Sequence, residues 1–314
     1  MKAFVFPGQG SQVVGMGKDL AENFPVAQEV FDEVNDALGQ NLSALMWDGP
    51  EGELTLTENA QPALMAVSVA VTRVLADRGY PLQDHASFVA GHSLGEYSAL
   101  AASGAIALDD TAKLLKLRGQ AMQRAAPIGV GAMAAIMGLD FETCSMIAEE
   151  ASQGEEICQA ANDNAPGQVV LSGTISAVGR AIDLAKERGA KRAIELPVSA
   201  PFHCALMQPA ADEMEAALAN THISAPCVPL VANVSADLVT DPDAIRALLV
   251  QQVTGRVRWR ESMRVLADKG VTQLLELGAG KVLTGLAKRN DDRLQGLSLS
   301  SAESVINFLA ENNH

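Results

Sequence analysis

The run Gly91-His92-Ser93-Leu94-Gly95 stands between a short apolar segment, Ser87-Phe88-Val89-Ala90, and a stretch of helical composition, Glu96–Ala102. Glycines two positions to either side of a serine let the chain turn sharply from strand to helix, with the serine strained at the tip and its Oγ exposed. The helix that follows then aims its free N–H groups at an oxygen that becomes negative during acyl transfer. Such a serine can form an ester once a base takes its proton. The same residues could also be a tight turn carrying a solvated serine, so the strand–turn–helix context is what gives the motif weight.

Five histidines are available as the base: His85, His92, His203, His222 and His314. His314 is the terminal residue and is expected to be disordered. His85 and His222 lie in polar connecting stretches and read as surface residues. His92 adjoins Ser93 on a sharp turn, so its side chain should point elsewhere and pack the elbow. His203 remains, in Ser199-Ala200-Pro201-Phe202-His203-Cys204 directly after an apolar run, although position alone favours a structural histidine there. Cys204 is a rival nucleophile without an elbow. A dinucleotide site at Gly8-Gln9-Gly10 fails because Val13 occupies the place of the third glycine, and no Gly-Lys-Ser/Thr follows for a phosphate loop.

The elements that must position these groups follow from periodicity. Ala3–Phe6 reads as a buried strand running into a glycine turn, residues 19–38 as one helix, and Gln61–Arg78 as a long apolar helix with Pro62 in its first turn. Asp109 or Asp110 is placed to cap a helix holding Leu114, Leu115, Leu117 and Arg118. Between Ala132 and Val198 the order changes to β-α-β-β-α-β, the ferredoxin-like pattern. Helices at 208–219 and 242–252 and strands at 228–233 and 273–277 then resume the alternation.

At 314 residues the chain can bury a large α/β core with an inserted subdomain, and few aromatics (4%) suit helix-on-sheet packing better than a sandwich. A formal charge of −15 argues against nucleic acid as a partner. The four cysteines (Cys144, Cys158, Cys204, Cys227) show no metal-ligand spacing and read as reduced thiols. The first apolar run is too short for a signal peptide, and no apolar stretch is long enough to span a membrane, so a soluble cytoplasmic protein is expected.

Four segments occur in order: Pro7-Gly8-Gln9-Gly10-Ser11-Gln12, Gly91-His92-Ser93-Leu94-Gly95-Glu96-Tyr97, Leu196-Pro197-Val198-Ser199 with His203, and Glu276-Leu277-Gly278-Ala279-Gly280-Lys281-Val282-Leu283. Together they resemble the malonyl-CoA:acyl carrier protein transacylases of type II fatty acid synthesis, from about residue 3 to residue 290. The resemblance implies an α/β fold, with a hydrolase-like parallel-sheet core at 1–127 and 199–314 and an inserted ferredoxin-like α+β subdomain at 128–198. It implies Ser93 as nucleophile and His203 as general base, with the backbone N–H groups of Gln9 and Leu94 as oxyanion hole. Arg118, which helix pattern alone makes a surface salt-bridge residue, would receive the malonyl carboxylate as a bidentate pair. The main-chain carbonyl of Gln252 would orient His203, which leaves the Gln252 side chain dispensable. Phe202 before the histidine resembles malonyl-selective relatives and implies malonyl over methylmalonyl.

The same resemblance implies a ping-pong transfer with malonyl-CoA and the phosphopantetheine arm of acyl carrier protein as substrates, no cofactor, no metal and a monomeric enzyme. A serine hydrolase shares elbow, base and oxyanion hole and differs in giving the ester to water. A carrier-binding scaffold without catalysis would not need Ser93, His203, Arg118 and Gln9 together. The carrier implied is small and acidic, so a chain at −15 needs a local basic face for it. Candidates are Arg256, Arg258, Arg260 and Arg264 with Lys281, Lys288 and Arg289, and a second set, Lys186, Arg188, Lys191 and Arg192.

Overall fold

The computed structural model describes residues 1–127, 129–198 and 200–312. Ile128, Ser199, Asn313 and His314 lie outside the described residues, and with them both junctions assigned from the sequence and the terminal histidine. The described strands are β1 (Lys2–Phe6), β2 (Phe88–Gly91), β3 (Gly131–Met137), β4 (Cys158–Ala165), β5 (Gln168–Thr174), β6 (Arg192–Glu195), β7 (Leu230–Val231), β8 (Leu238–Val239), β9 (Gln273–Leu277) and β10 (Gln295–Leu299). Six of them form one sheet in the order β10-β9-β1-β2-β7-β8, parallel throughout except for the β7–β8 pair.

Side chains alternate along β1: Phe4 and Phe6 enter one apolar core, Ala3 and Val5 the other. Burial on both faces is what a parallel sheet covered by helices demands, and it explains why Ala3–Phe6 is apolar without a break. The helix Thr57–Asp77 is the most deeply buried of the covering helices, with Leu64, Val67 and Val71 fully inside.

The remaining four strands form a separate antiparallel sheet in the order β4-β5-β3-β6. The helices Phe141–Ala151 and Ile175–Glu187 pack on it through Ile147, Ala148, Val178 and Ala181 against Ala134, Ile136 and Leu171. This sheet is tied to the segment between the helices Pro242–Thr254 and Trp259–Asp268 by main-chain bonds from Val257 N–H to Ala161 O and from Asp163 N–H to Val257 O, both 2.9 Å. The buried Asp163 also pairs with Arg260 at 2.8 Å. Among the described residues no helix is long and apolar enough to cross a membrane.

Several expectations change. The helix expected over 19–38 is two, Lys18–Asn23 and Pro25–Leu38, because Phe24, the residue before a proline, is extended (φ −135°). The long helix begins a turn earlier, at Thr57, and Pro62 lies inside it. Ala107 occupies the cap position of Leu108–Ala125, and both Asp109 and Asp110 sit in the first turn, where a negative charge offsets the helix dipole. The strand expected over 228–233 shrinks to β7, and the chain beyond it carries Asn233 into the site described next.

Candidate active site

The C-terminal ends of β1, β2 and β7 lie side by side, which is where an open parallel sheet offers a crevice. Ser93 follows β2 by two residues and has φ +53°, a left-handed conformation that costs a non-glycine residue about 1–2 kcal/mol. The two flanking glycines have no room for a side chain. A Cβ on Gly91 would fall 1.9 Å from the carbonyl of Gly95, and one on Gly95 would fall 2.2 Å from Phe6 O. Asn233 laces the turn from outside: its Oδ1 accepts from Ser93 N–H at 2.8 Å and its Nδ2 donates to Gly91 O at 2.6 Å.

Ser93 Oγ lies 2.7 Å from His203 Nε2. On the other side of the ring, Nδ1 faces two main-chain carbonyls, Gln252 O at 2.9 Å and Gly255 O at 3.1 Å. Carbonyls only accept, so Nδ1 carries the proton, and Nε2 presents its lone pair to the serine hydroxyl. Burial, and next the positive charge of Arg118, push His203 down to about 3, so the imidazole is neutral at any ordinary pH. His203 also has a left-handed backbone, φ +58°. Among the described residues no carboxylate bonds the ring; two amide carbonyls take that place.

Arg118 is buried, 1% exposed, contrary to its reading from helix pattern as a surface residue. Its Nη1 donates to Gln61 Oε1 and its Nη2 to Gln252 Oε1, each at 2.8 Å, and Nη2 also reaches Ser93 Oγ at 3.2 Å. Its guanidinium carbon lies 5.7 Å from the centre of the Tyr97 ring, within cation–π range. No carboxylate forms an ion pair with it among the described residues, and its Nε has no hydrogen-bond partner. A buried cation whose hydrogen bonds go to neutral amides and a hydroxyl is costly to keep out of water.

The Gln252 side chain is not idle. Beyond accepting from Arg118, its Nε2 donates to Ser93 O at 3.0 Å and to Glu96 Oε2 at 2.7 Å. Gln252→Ala keeps the carbonyl and loses these bonds. It is therefore expected to slow the reaction at Ser93 by about ten- to a hundredfold, since a hydrogen bond to a charged group is worth ~1.5–3 kcal/mol. Steady-state rates alongside an unchanged circular dichroism spectrum check this.

Gln9 lies three residues after the end of β1, its side chain donating to Thr57 Oγ1 at 3.3 Å, and Leu94 precedes the helix Gly95–Ala102. The main-chain N–H groups of both have no protein acceptor among the described residues. His92 turns away from Ser93: its Nε2 bonds Asn164 Oδ1 at 2.8 Å and its ring packs against Trp259. Cys204 is buried, its thiol donating to Pro201 O, and burial raises its pKa, which ends its candidacy as nucleophile. Sequence reasoning missed Gln61, Glu96, Asn233 and Gly255. Glu96 had a signal, as the one charged residue of the helix Gly95–Ala102.

A serine elbow at the edge of a parallel sheet, a histidine on its hydroxyl and a buried arginine beside it define an acyl-transferring enzyme. The family model described as the acyl transferase domain matches residues 3–297. The malonyl CoA-acyl carrier protein transacylase of Escherichia coli strain K12 is 48% identical over 303 residues, covering 96% of this chain and 97% of the relative. An acyl-carrier-protein-S-malonyltransferase structure from Bartonella henselae superposes with a TM-score of 0.96 at 53% identity, covering 100% and 99% of the two chains. A malonyl-transacylase solved in complex with its type II PKS acyl-carrier protein gives 0.95 at 47% identity, covering 99% of each. The chain belongs to the malonyl-CoA:acyl carrier protein transacylase family.

Proposed function

We propose that this enzyme moves a malonyl group from coenzyme A to the phosphopantetheine thiol of an acyl carrier protein through an ester on Ser93, supplying malonyl-carrier for fatty acid chain elongation. The observation that carries the reading is Arg118: a buried cation with no carboxylate in direct contact among the described residues, 3.2 Å from Ser93 Oγ, fits an acyl group that bears its own carboxylate. His203 Nε2 takes the Ser93 proton as Oγ attacks the thioester carbonyl. The N–H groups of Gln9 and Leu94 receive the oxyanion, and the proton passes to the departing coenzyme A sulfur. In the second half the carrier thiol gives its proton to His203, attacks the ester, and Ser93 recovers its hydrogen. These steps call on no cofactor, and we place them in a cytoplasmic monomer whose antiparallel sheet, within 128–198, walls one side of the cleft.

Intact-mass spectrometry after mixing with malonyl-CoA tests the reading. A malonyl adduct mapped to Ser93 and discharged by carrier protein is expected. An adduct that only water removes, at a rate indifferent to carrier, would make the enzyme a serine hydrolase.

The carrier's acidic face needs cations that are not already paired. Arg256 and Arg258 pair with Glu261, Arg260 with Asp163, and Arg264 reaches Asp268 at 4.0 Å, so the arginine cluster is largely neutralised. Lys186 and Arg188 pair with Asp183 and Glu150. Lys191, Arg192, Lys281, Lys288 and Arg289 are exposed and have no carboxylate partner among the described residues. Arg289 bonds Gln168 Oε1 at 2.7 Å, and Gln168 and Arg192 both pair with Met137 across the antiparallel sheet, so Arg192 and Arg289 lie on one face. Reversing Arg192 and Arg289 to Glu is expected to raise the KM for carrier roughly tenfold, about 1.4 kcal/mol, and leave acylation by malonyl-CoA unchanged. Added salt should weaken the carrier step more in the wild type than in the variant. Transfer insensitive to both charge reversal and salt would place docking elsewhere.

A further inference from the structure

The polar side chains at the floor of the site meet at one carboxylate. Glu96 is the second residue of the helix Gly95–Ala102 and is 1% exposed. Its Oε2 accepts from Gln252 Nε2 at 2.7 Å and from Asn233 N–H at 3.1 Å, while Oε1 has no partner among the described residues. Asn233 in turn holds Ser93 N–H and Gly91 O. Gln252 holds Arg118 with its side-chain oxygen and His203 with its main-chain carbonyl. A carboxylate only accepts, so it draws the Gln252 amide nitrogen to itself and leaves the amide oxygen for the guanidinium. The guanidinium, which only donates, and Ser93 O, which only accepts, ask for the same orientation, and the charged carboxylate is the strongest of the three holds on it.

We propose that Glu96 is a positioning residue for the transfer: one buried carboxylate sets Gln252 and Asn233, and through them the places of Arg118, His203 and Ser93. The inference rests on the roles proposed above for those three. Its charge has a second effect. Burial pushes the Glu96 carboxyl up to about 7, against the bonds from Gln252 and Asn233 and the attraction of Arg118. The charged and titratable groups around it are Arg118 from the helix Leu108–Ala125, Tyr97 from its own helix, and His203 beyond Gln252. Burial pushes Tyr97 up to about 12, and His203 is held at about 3. Near neutrality Glu96 is thus the group here whose charge changes. As pH rises through its midpoint the carboxylate forms, the Gln252 amide is locked, and the field of Arg118 on His203 is partly offset. Acylation therefore quickens.

The test is single-turnover formation of the serine ester from malonyl-CoA between about pH 5.5 and 8.5, in the wild type, Glu96→Gln and Glu96→Asp. The wild-type rate is expected to fall about fivefold one pH unit below a midpoint near neutrality and to level off about tenfold below its plateau. Glu96→Gln keeps an acceptor but no charge. It is expected to run flat across this range, about tenfold below the wild-type plateau, with a KM for malonyl-CoA no higher than wild type because Arg118 is less shielded. Glu96→Asp keeps the charge and should restore the limb. A merely structural glutamate would instead lower the rate evenly at every pH and raise KM. A wild-type profile flat through neutrality overturns the proposal, and so does a limb that persists in Glu96→Gln, since it then belongs to the substrate. The wild-type profile decides even if a variant fails to fold. Neither result touches Ser93, whose role is settled separately by Ser93→Ala.

Discussion

Ser93→Ala is expected to take up no malonyl group from malonyl-CoA and to transfer none to carrier protein, because it lacks the hydroxyl that the elbow holds against His203. Cys204 is buried with its thiol committed to Pro201 O, and His203 points its lone pair at the place the hydroxyl vacates. His203→Ala keeps the serine and the elbow but removes the proton acceptor at 2.7 Å, so acylation should slow by about a hundredfold or more, the usual scale of general-base help. The two variants are told apart by rapid-quench intact mass: the first gives no adduct at long times, the second gives full adduct slowly. In the wild type, initial rates against malonyl-CoA and the carrier protein should give parallel double-reciprocal lines. Near wild-type malonyl transfer by Ser93→Ala would remove the ester from the mechanism.

Arg118→Ala is expected to invert the preference between acyl groups. With the guanidinium gone, a malonyl carboxylate entering the site is desolvated without a partner, a penalty of about 3–5 kcal/mol, or a hundred- to several-thousandfold in rate. An acetyl group has no charge to strand. For it the change removes a buried cation that had only neutral partners, Gln61, Gln252 and the serine hydroxyl. It also removes the charge that, after burial, does most to hold His203 low. Acetyl transfer should therefore hold steady or improve while malonyl transfer collapses, as measured by kcat/KM for the two coenzyme A esters. Equal losses for both would make Arg118 a support for Gln61 and Gln252 and no more.

Which parts of this site are legible in the sequence follows from how local each one is. The elbow can be read because its constraints are contiguous: Gly91 and Gly95 are glycines for reasons that lie within two residues of Ser93 and at the end of β1. His203 cannot be read from position, because its ring is oriented by carbonyls 49 and 52 residues away. Main-chain carbonyls leave no trace in side-chain types, so only the family resemblance pointed to Gln252, and nothing pointed to Gly255. Resemblance also missed the work of the Gln252 side chain, since a role assigned to the backbone hides the amide. Arg118 looked superficial because i, i+4 spacing cannot tell a cation facing solvent from one facing a crevice at the end of a helix. The break at Phe24–Pro25 was readable from proline chemistry and was overridden by the apolar periodicity on either side of it.

The two-carbonyl seat of His203 bears on how long the acylated enzyme lasts. A triad acid stabilises the imidazolium and so strengthens the base; amide carbonyls do so far less. A feeble base ranks incoming acceptors by their own acidity. Water, with a pKa of about 15.7, gives up its proton to such a base far less readily than a thiol at about 8.5. Ser93 escapes that ranking during acylation because its hydroxyl is already fixed against Nε2, whereas a water molecule must arrive and be held. If His203 is the base, the ester has a long half-life in water and a short one in the presence of carrier thiol. Its lifetime is then set by the supply of acceptor, and the malonyl group is conserved by the weakness of the base.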